Sequence, residues 1–261
     1  MGVALGRGRS GHSTRGKTAR NRLRRTDTWV ARDGVLRNVK APLYVDVGYG
    51  AEPSTTIETL HRLQGLTSDL RVVGVEIERA RVEVAAADAI PGTLEFRLGG
   101  FDLPLERDEQ AHVIRAMNVL RQYEEPEHAP AIARMARSLA DGGMLLEGTS
   151  TPTGRLLTAN IYRRRGADLE HEGLMLAPNL AREWRPLELR SVLPKNLIHH
   201  CETGSPLESF FERWHDAYAE ARRSGLAPRT AFVRAGRALG NAVDRSPSTL
   251  RRGFLFLHLP V

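Results

Sequence analysis

Leu43-Tyr44-Val45-Asp46-Val47-Gly48-Tyr49-Gly50 decides how this chain folds. An apolar run of buried-strand length breaks into two glycines one residue apart. The segment that follows, from Pro53 to Leu63, carries Ile57 and Leu60 on one face with Leu63 beside them, the spacing of a helix. Strand, glycine turn and helix open a doubly wound α/β unit. Glycine suits such a turn because the backbone must reverse sharply and let a ligand approach with no Cβ in the way. The helix N-terminus then offers free N–H groups to an electron-rich ligand.

The spacing argues against a dinucleotide. In G-x-G-x-x-G the third glycine would fall on Pro53. Further β/α units follow. Arg71–Glu76 reads as a second apolar strand ending on an acid, and an acid there can accept from both hydroxyls of a ribose. Glu78 competes for that role, but Glu76 follows Val75 directly at the strand end. Thr93–Leu98 is a third strand, running into Gly99-Gly100-Phe101-Asp102. His112–Met117 is a fourth, continuing through Asn118 to Tyr123. A helix is predicted from Pro130 to Leu139, stopped by Asp141-Gly142-Gly143, with Met144–Gly148 as the fifth strand.

Asp46-x-Gly48-x-Gly50 resembles motif I of the class I S-adenosylmethionine-dependent methyltransferases, and the four later segments match that superfamily's loop chemistry. The resemblance implies S-adenosyl-L-methionine as cofactor. Asp46, Gly48 and Gly50 would hold its methionine end, Glu76 its ribose, Phe101 would pack on adenine and Asp102 would accept from the adenine amino group. Glu52 departs from the family pattern, standing where the fuller motif has a last glycine. Arg115-x-x-Asn118-Val119-Leu120-x-x-Tyr123 is similar to motif IV, particularly in chemotaxis-receptor methyltransferases. That makes Asn118 a cofactor contact and the expected substrate-side hydrogen-bonding residue, with Tyr123 and Arg115 as further catalytic candidates. Glu124 or His128 could act as a base for an acceptor that must lose a proton. The Asn-Pro-Pro-Tyr signature of exocyclic-amine methyltransferases is absent, as is a motif cysteine for attack on a pyrimidine.

The implied fold class is α/β: a Rossmann-like, doubly wound, mostly parallel seven-stranded sheet with an antiparallel last strand and a helical C-terminal cap. Gly253–Leu259 is the candidate for that last strand, inserted into the sheet. Gly154–Tyr162 and Gly173–Ala177 suggest an added hairpin. The helix from Pro206 carries Leu207, Phe210, Phe211, Trp214 and Tyr218 as a packing stripe, and a second helix is predicted from Pro228 to Val243. The 261 residues divide into a basic, partly disordered extension (1–40), a cofactor-binding core (41–150) and a C-terminal part (151–261) that completes the sheet and caps the substrate side.

Charge separates these parts. The net charge is +7, yet residues 1–40 alone carry +9, eleven basic groups against Asp27 and Asp33. A tail of this kind attracts phosphates, so RNA contact through it is one expectation and a small-molecule acceptor the other. Within it, the stretch from Arg20 to Val30 is expected to dock on the domain. The single cysteine, Cys201, excludes an internal disulfide and fits a reducing, cytoplasmic setting. No run approaches the ~20 apolar residues of a membrane span. His199-His200-Cys201 lacks a second ligand pair at metal-binding spacing, so no metal is expected. Two other readings stay open: a nucleic-acid-binding protein on a degenerate methyltransferase fold, and a nucleotide-dependent oxidoreductase, which Pro53 disfavours.

Overall fold

Val45, Val47, Val73 and Val75 are buried on one face of the first strands, and Tyr44 and Val72 on the other. Both faces of the sheet must therefore be covered, as β/α crossovers arrange. The computed structural model describes residues 18–258, so the first sixteen residues, the part of the extension expected to be disordered, lie outside it. The strands are β1 (Leu43–Val47), β2 (Arg71–Glu76), β3 (Leu94–Leu98), β4 (Ala111–Met117), β5 (Leu139–Ser150), β6 (Leu157–Arg165), β7 (Asp168–Leu176) and β8 (Leu255–Leu257). They form one sheet in the order β3-β2-β1-β4-β5-β6-β7-β8. The first five pair in parallel and β6 to β8 are joined by antiparallel pairings.

The class is α/β, Rossmann-like and mostly parallel, as expected, with eight strands instead of seven. Leu255–Leu257 is not inserted into the sheet. It lies at the edge, antiparallel to β7. The cause is local. Short loops tie β6 to β5 and β7 to β6, so consecutive strands pair directly and leave no slot between them. Gly173 admits the edge strand, since a Cβ there would come within 2.4 Å of the Leu257 carbonyl oxygen.

The helices are α1 (Arg24–Asp33), α2 (Ser54–Leu63), α3 (Arg79–Ala85), α4 (Glu125–Ala136), α5 (Lys195–Ile198), α6 (Pro206–Arg223), α7 (Pro228–Ala238) and α8 (Pro247–Arg251). The helix predicted from Pro130 starts five residues earlier. Glu124 and Glu127 make a reciprocal capping box, and Pro126 sits in the first turn, where its missing N–H costs nothing. It also ends sooner, which releases Leu139 to begin β5. The helix predicted to reach Val243 stops at Ala238.

As expected, the stretch around α1 docks on the domain. Trp29 stacks on Phe256 at 5.3 Å and meets Phe254 edge-on at 5.4 Å, while the Arg25 guanidinium sits 3.9 Å over the Phe254 ring. The C-terminal helices close around Phe210, Phe211, Trp214 and Phe232, packing with Leu174 and Leu176 of β7 and Leu255 and Leu257 of β8. No helix among the described residues is long and apolar enough to cross a membrane.

Candidate functional site

Asp46 is a carboxylate in the otherwise apolar, fully buried β1, and only 2% of it is accessible. Its partners come from two other elements. Arg115 of β4 donates from Nε to Oδ1 at 2.9 Å and from Nη2 to Oδ2 at 2.7 Å. Thr56 of α2 donates to Oδ2 at 2.7 Å. Arg115, wholly buried, also reaches Asp27 of α1 at 2.8 Å and Thr59 Oγ1 at 2.9 Å. Asp27 is further held by Arg62 at 2.6 Å. Burial alone would lower the Arg115 pKa, but Asp46, Tyr44 and Asp27 raise it and prevail, so the guanidinium stays charged. A doubly paired buried cation of this kind fixes the relative positions of β1, β4, α1 and α2.

Above this network the chain turns on Gly48 (φ 69°) and Gly50 (φ 87°), both in the left-handed region that favours glycine. Gly48 N donates to Val75 O at 2.7 Å, binding the turn to β2. Gly50 N donates to Glu76 Oε2 at 3.0 Å, and Ile77 N to Glu76 Oε1 at 2.9 Å. Arg81 lies 3.6 Å from the same carboxylate. The acids expected at the ends of the first two strands are thus joined through one glycine turn. Gly74 leaves room for the Tyr49 and Phe96 rings, which a Cβ would strike at 3.0 and 2.7 Å.

Asn118 stands at the end of β4 with φ 63°, an uncommon conformation for a side-chain-bearing residue and a mark of local constraint. Its N–H donates to Gly148 O at 2.7 Å and its Oδ1 accepts from Ser150 N at 2.9 Å. Asp46, Gly48, Gly50 and Asn118 line one cavity together with Thr18, Arg22 and Leu23. Arg22 closes it. Its Nε donates to Ser150 Oγ at 2.9 Å and its Nη2 to Ser150 O at 3.0 Å. Ser150 Oγ in turn accepts from Asn118 Nδ2 at 3.3 Å. The space left in it is about 40 Å³.

The other candidates lie apart from this cavity. Phe101 and Tyr123 pack against each other at 5.2 Å within the apolar cluster on the opposite face of the sheet. Asp102 is exposed and held by Arg134 and Arg137, with Arg134 Nε at 3.0 Å and Arg137 Nη2 at 2.9 Å; these bonds lower its pKa. Arg115 is beneath the site, supporting Asp46. Sequence reasoning placed Arg22 in a stretch expected to dock but gave it no part in the site, and missed Thr56, whose role depends on a helix face turned towards β1.

No family model matches the chain, and no curated protein matches it. Solved structures do. Magnesium protoporphyrin IX methyltransferase from Synechocystis, with bound S-adenosylmethionine, is 18% identical over 56% of this chain and 62% of its own, with a TM-score of 0.37. The plantazolicin methyltransferase is 12% identical over 50% and 47%, at 0.39. The methyltransferase domain of the citrinin polyketide synthase is 17% identical over 45% and 31%, at 0.37. The chain thus spans less than two thirds of the length of each. Likenesses this weak carry no weight for function. The Rossmann-like architecture rests on the chain's own strand order and parallel pairings, not on these likenesses.

Proposed function

We propose that the protein is an S-adenosylmethionine-dependent methyltransferase that transfers a methyl group in line to an RNA or small-molecule acceptor. The observation that carries this reading is the Gly48–Gly50 turn, with Gly50 N on Glu76, joining acids at the ends of two adjacent parallel strands. Crevices at strand ends next to such turns are where α/β sheets take nucleosides.

The donor set fits the cofactor in kind. Glu76 can exchange Gly50 N for ribose hydroxyls, and the left-handed glycines leave the backbone unobstructed. Tyr49 OH and Ser54 Oγ, beside the turn, are buried with no hydrogen-bond partner among the described residues and can accept a polar ligand. At about 40 Å³ the cavity must open first, which requires the segment 18–23 to lift as Arg22 leaves Ser150. When bound, the cofactor supplies a methyl group already activated on a sulfonium. The chain's task is alignment. Arg115 and Thr56 hold Asp46 under the turn. Asn118, fixed by Gly148 and Ser150, faces the acceptor side and orients the nucleophile. Phe101, Asp102 and Tyr123 would act only after rearrangement around the adenine loop.

Calorimetry with S-adenosylhomocysteine, with NAD as control, tests the reading. Heat with the first alone, and at least about tenfold weaker binding in a folded Glu76→Gln variant, is the expected result. No heat with S-adenosylhomocysteine refutes it. A second reading, a nucleic-acid-binding protein on the same fold, is favoured by the narrow cavity and by Glu52. It predicts no cofactor heat together with salt-dependent RNA binding. Arg22, Arg25 and Arg32 are turned onto the body of the domain, so RNA contact would fall to the other basic residues of the extension.

A further inference from the structure

The sheet face opposite Asp46 carries a second buried polar cluster. Glu147 of β5 is in register with Ala116 and Asn160, whereas its neighbour Leu146 is in register with Arg115. Alternation along the strand therefore puts Glu147 on the α4 side, away from the glycine turn. Glu147, His128 and Asn160 are 1%, 4% and 0% exposed. His128 Nε2 lies 3.0 Å from Glu147 Oε2, and Asn160 Nδ2 donates to the same oxygen at 3.0 Å. Asn160 Nδ2 also donates to Asn196 Oδ1 at 2.9 Å, and its Oδ1 lies 3.1 Å from His171 Nε2. With Glu147 as acceptor, His128 Nε2 is the donor of its pair, which leaves Nδ1 an acceptor in the neutral ring.

Burying a carboxyl group and an imidazole in an apolar face costs several kcal/mol unless every polar atom is answered, roughly 1–3 kcal/mol for each that is not. Here the answering is incomplete on one side. Among the described residues His128 Nδ1 makes no hydrogen bond, and it is not one of the atoms sealed away from solvent. His128 instead lines a cavity of about 450 Å³ whose walls include Ile132, Ala133, Tyr162 and Leu169. A cavity with apolar walls and a carboxyl-backed acceptor at one end is the build of a small-molecule site. In its lining Arg137 and Arg164 outnumber Asp168 and so disfavour a cation, and Glu147 behind His128 disfavours an anion beside that ring. What remains is a neutral donor on an apolar body.

We propose that this cavity binds a hydroxylated aromatic molecule of the phenol class, its ring against Tyr162, Ile132 and Leu169 and its hydroxyl donating to His128 Nδ1. The site shares no lining residue with the glycine-turn cavity and stands whether or not the chain transfers methyl groups.

The test uses the full chain, 2-naphthol and its methyl ether, followed by the imidazole resonances of His128. The expected result is that 2-naphthol shifts those resonances and binds about tenfold or more tightly than the ether, which cannot donate. In a His128→Phe variant whose circular dichroism matches the natural chain's, that preference disappears. Equal binding of naphthol and ether to the natural chain, or binding of neither, overturns the proposal. So does a naphthol preference that survives in His128→Phe. Should that variant fail to fold, the naphthol-to-ether comparison on the natural chain decides alone.

Discussion

Replacing Arg115 by methionine keeps the aliphatic stem and removes only the charged head. The guanidinium is 0% exposed and answers two carboxylates, Asp46 through two bonds at 2.7 and 2.9 Å and Asp27 through one at 2.8 Å. After the change Asp27 keeps Arg62, but Asp46 retains only hydroxyl donors, chiefly Thr56 at 2.7 Å. Removing one partner of a buried pair costs about 3–5 kcal/mol, because the surviving charge stays desolvated. Domains are stable by only about 5–15 kcal/mol, so a large fraction of the total is at stake. Guanidinium unfolding near neutral pH should show this as a lower midpoint with an unchanged slope. Adding Asp46→Asn should return at least about 1 kcal/mol, since the amide carries no charge to strand. A single-variant cost below about 1 kcal/mol, or strictly additive effects in the double variant, would refute the view that a buried charge pair holds this turn.

Arg22→Ala should tighten S-adenosylhomocysteine binding by about threefold to tenfold, because the bonds to Ser150 and Thr151 no longer have to break on entry; calorimetry showing weaker binding contradicts the clasp. Gly154→Ala should destabilise the fold by about 1–3 kcal/mol, as the new Cβ would lie 2.3 Å from Arg22 O at a residue with φ +66°; an unchanged thermal midpoint counts against that packing. Glu109 is held by Arg97 and Arg71, which lower its pKa from 4.5 to about 2. A depressed acid stabilises above its unfolded value and loses that contribution as the pH falls through the folded one. After allowance for solvent screening, Glu109→Gln should cost about 1–2 kcal/mol near neutral pH. More than half of that difference should vanish by about pH 3, and a pH-independent difference in urea midpoints would exclude it.

Much of the core was legible because its signals are local. The glycine turn after Val47, the acid after Val75 and the alternation of short apolar strands with helices each lie within a dozen residues of chain. The bounds of β2 and the start of α2 follow directly from them. The edge position of Leu255–Leu257 was not legible, since its composition says that it is buried and nothing about which neighbour it joins. The start of α4 was readable in principle: Glu124-Glu125-Pro126-Glu127 is a capping sequence, but its acidity reads equally well as a solvated loop. Glu147 sits among apolar neighbours in β5, and its partners Asn160 and His128, on separate elements, could not be read from the sequence.

The sequence by itself determined that the chain would build a glycine-turned β/α sheet with acids at the ends of its first two strands. Only the tertiary structure decided what those acids do. Arg115 meets Asp46 across 69 residues of chain and Asp27 across 88, and Arg22 meets Ser150 across 128. Propensity and periodicity act over one or two turns of chain. A buried charge, by contrast, takes whichever opposite charge the packing of distant elements brings within reach, because leaving it unpaired costs more than any local preference can return.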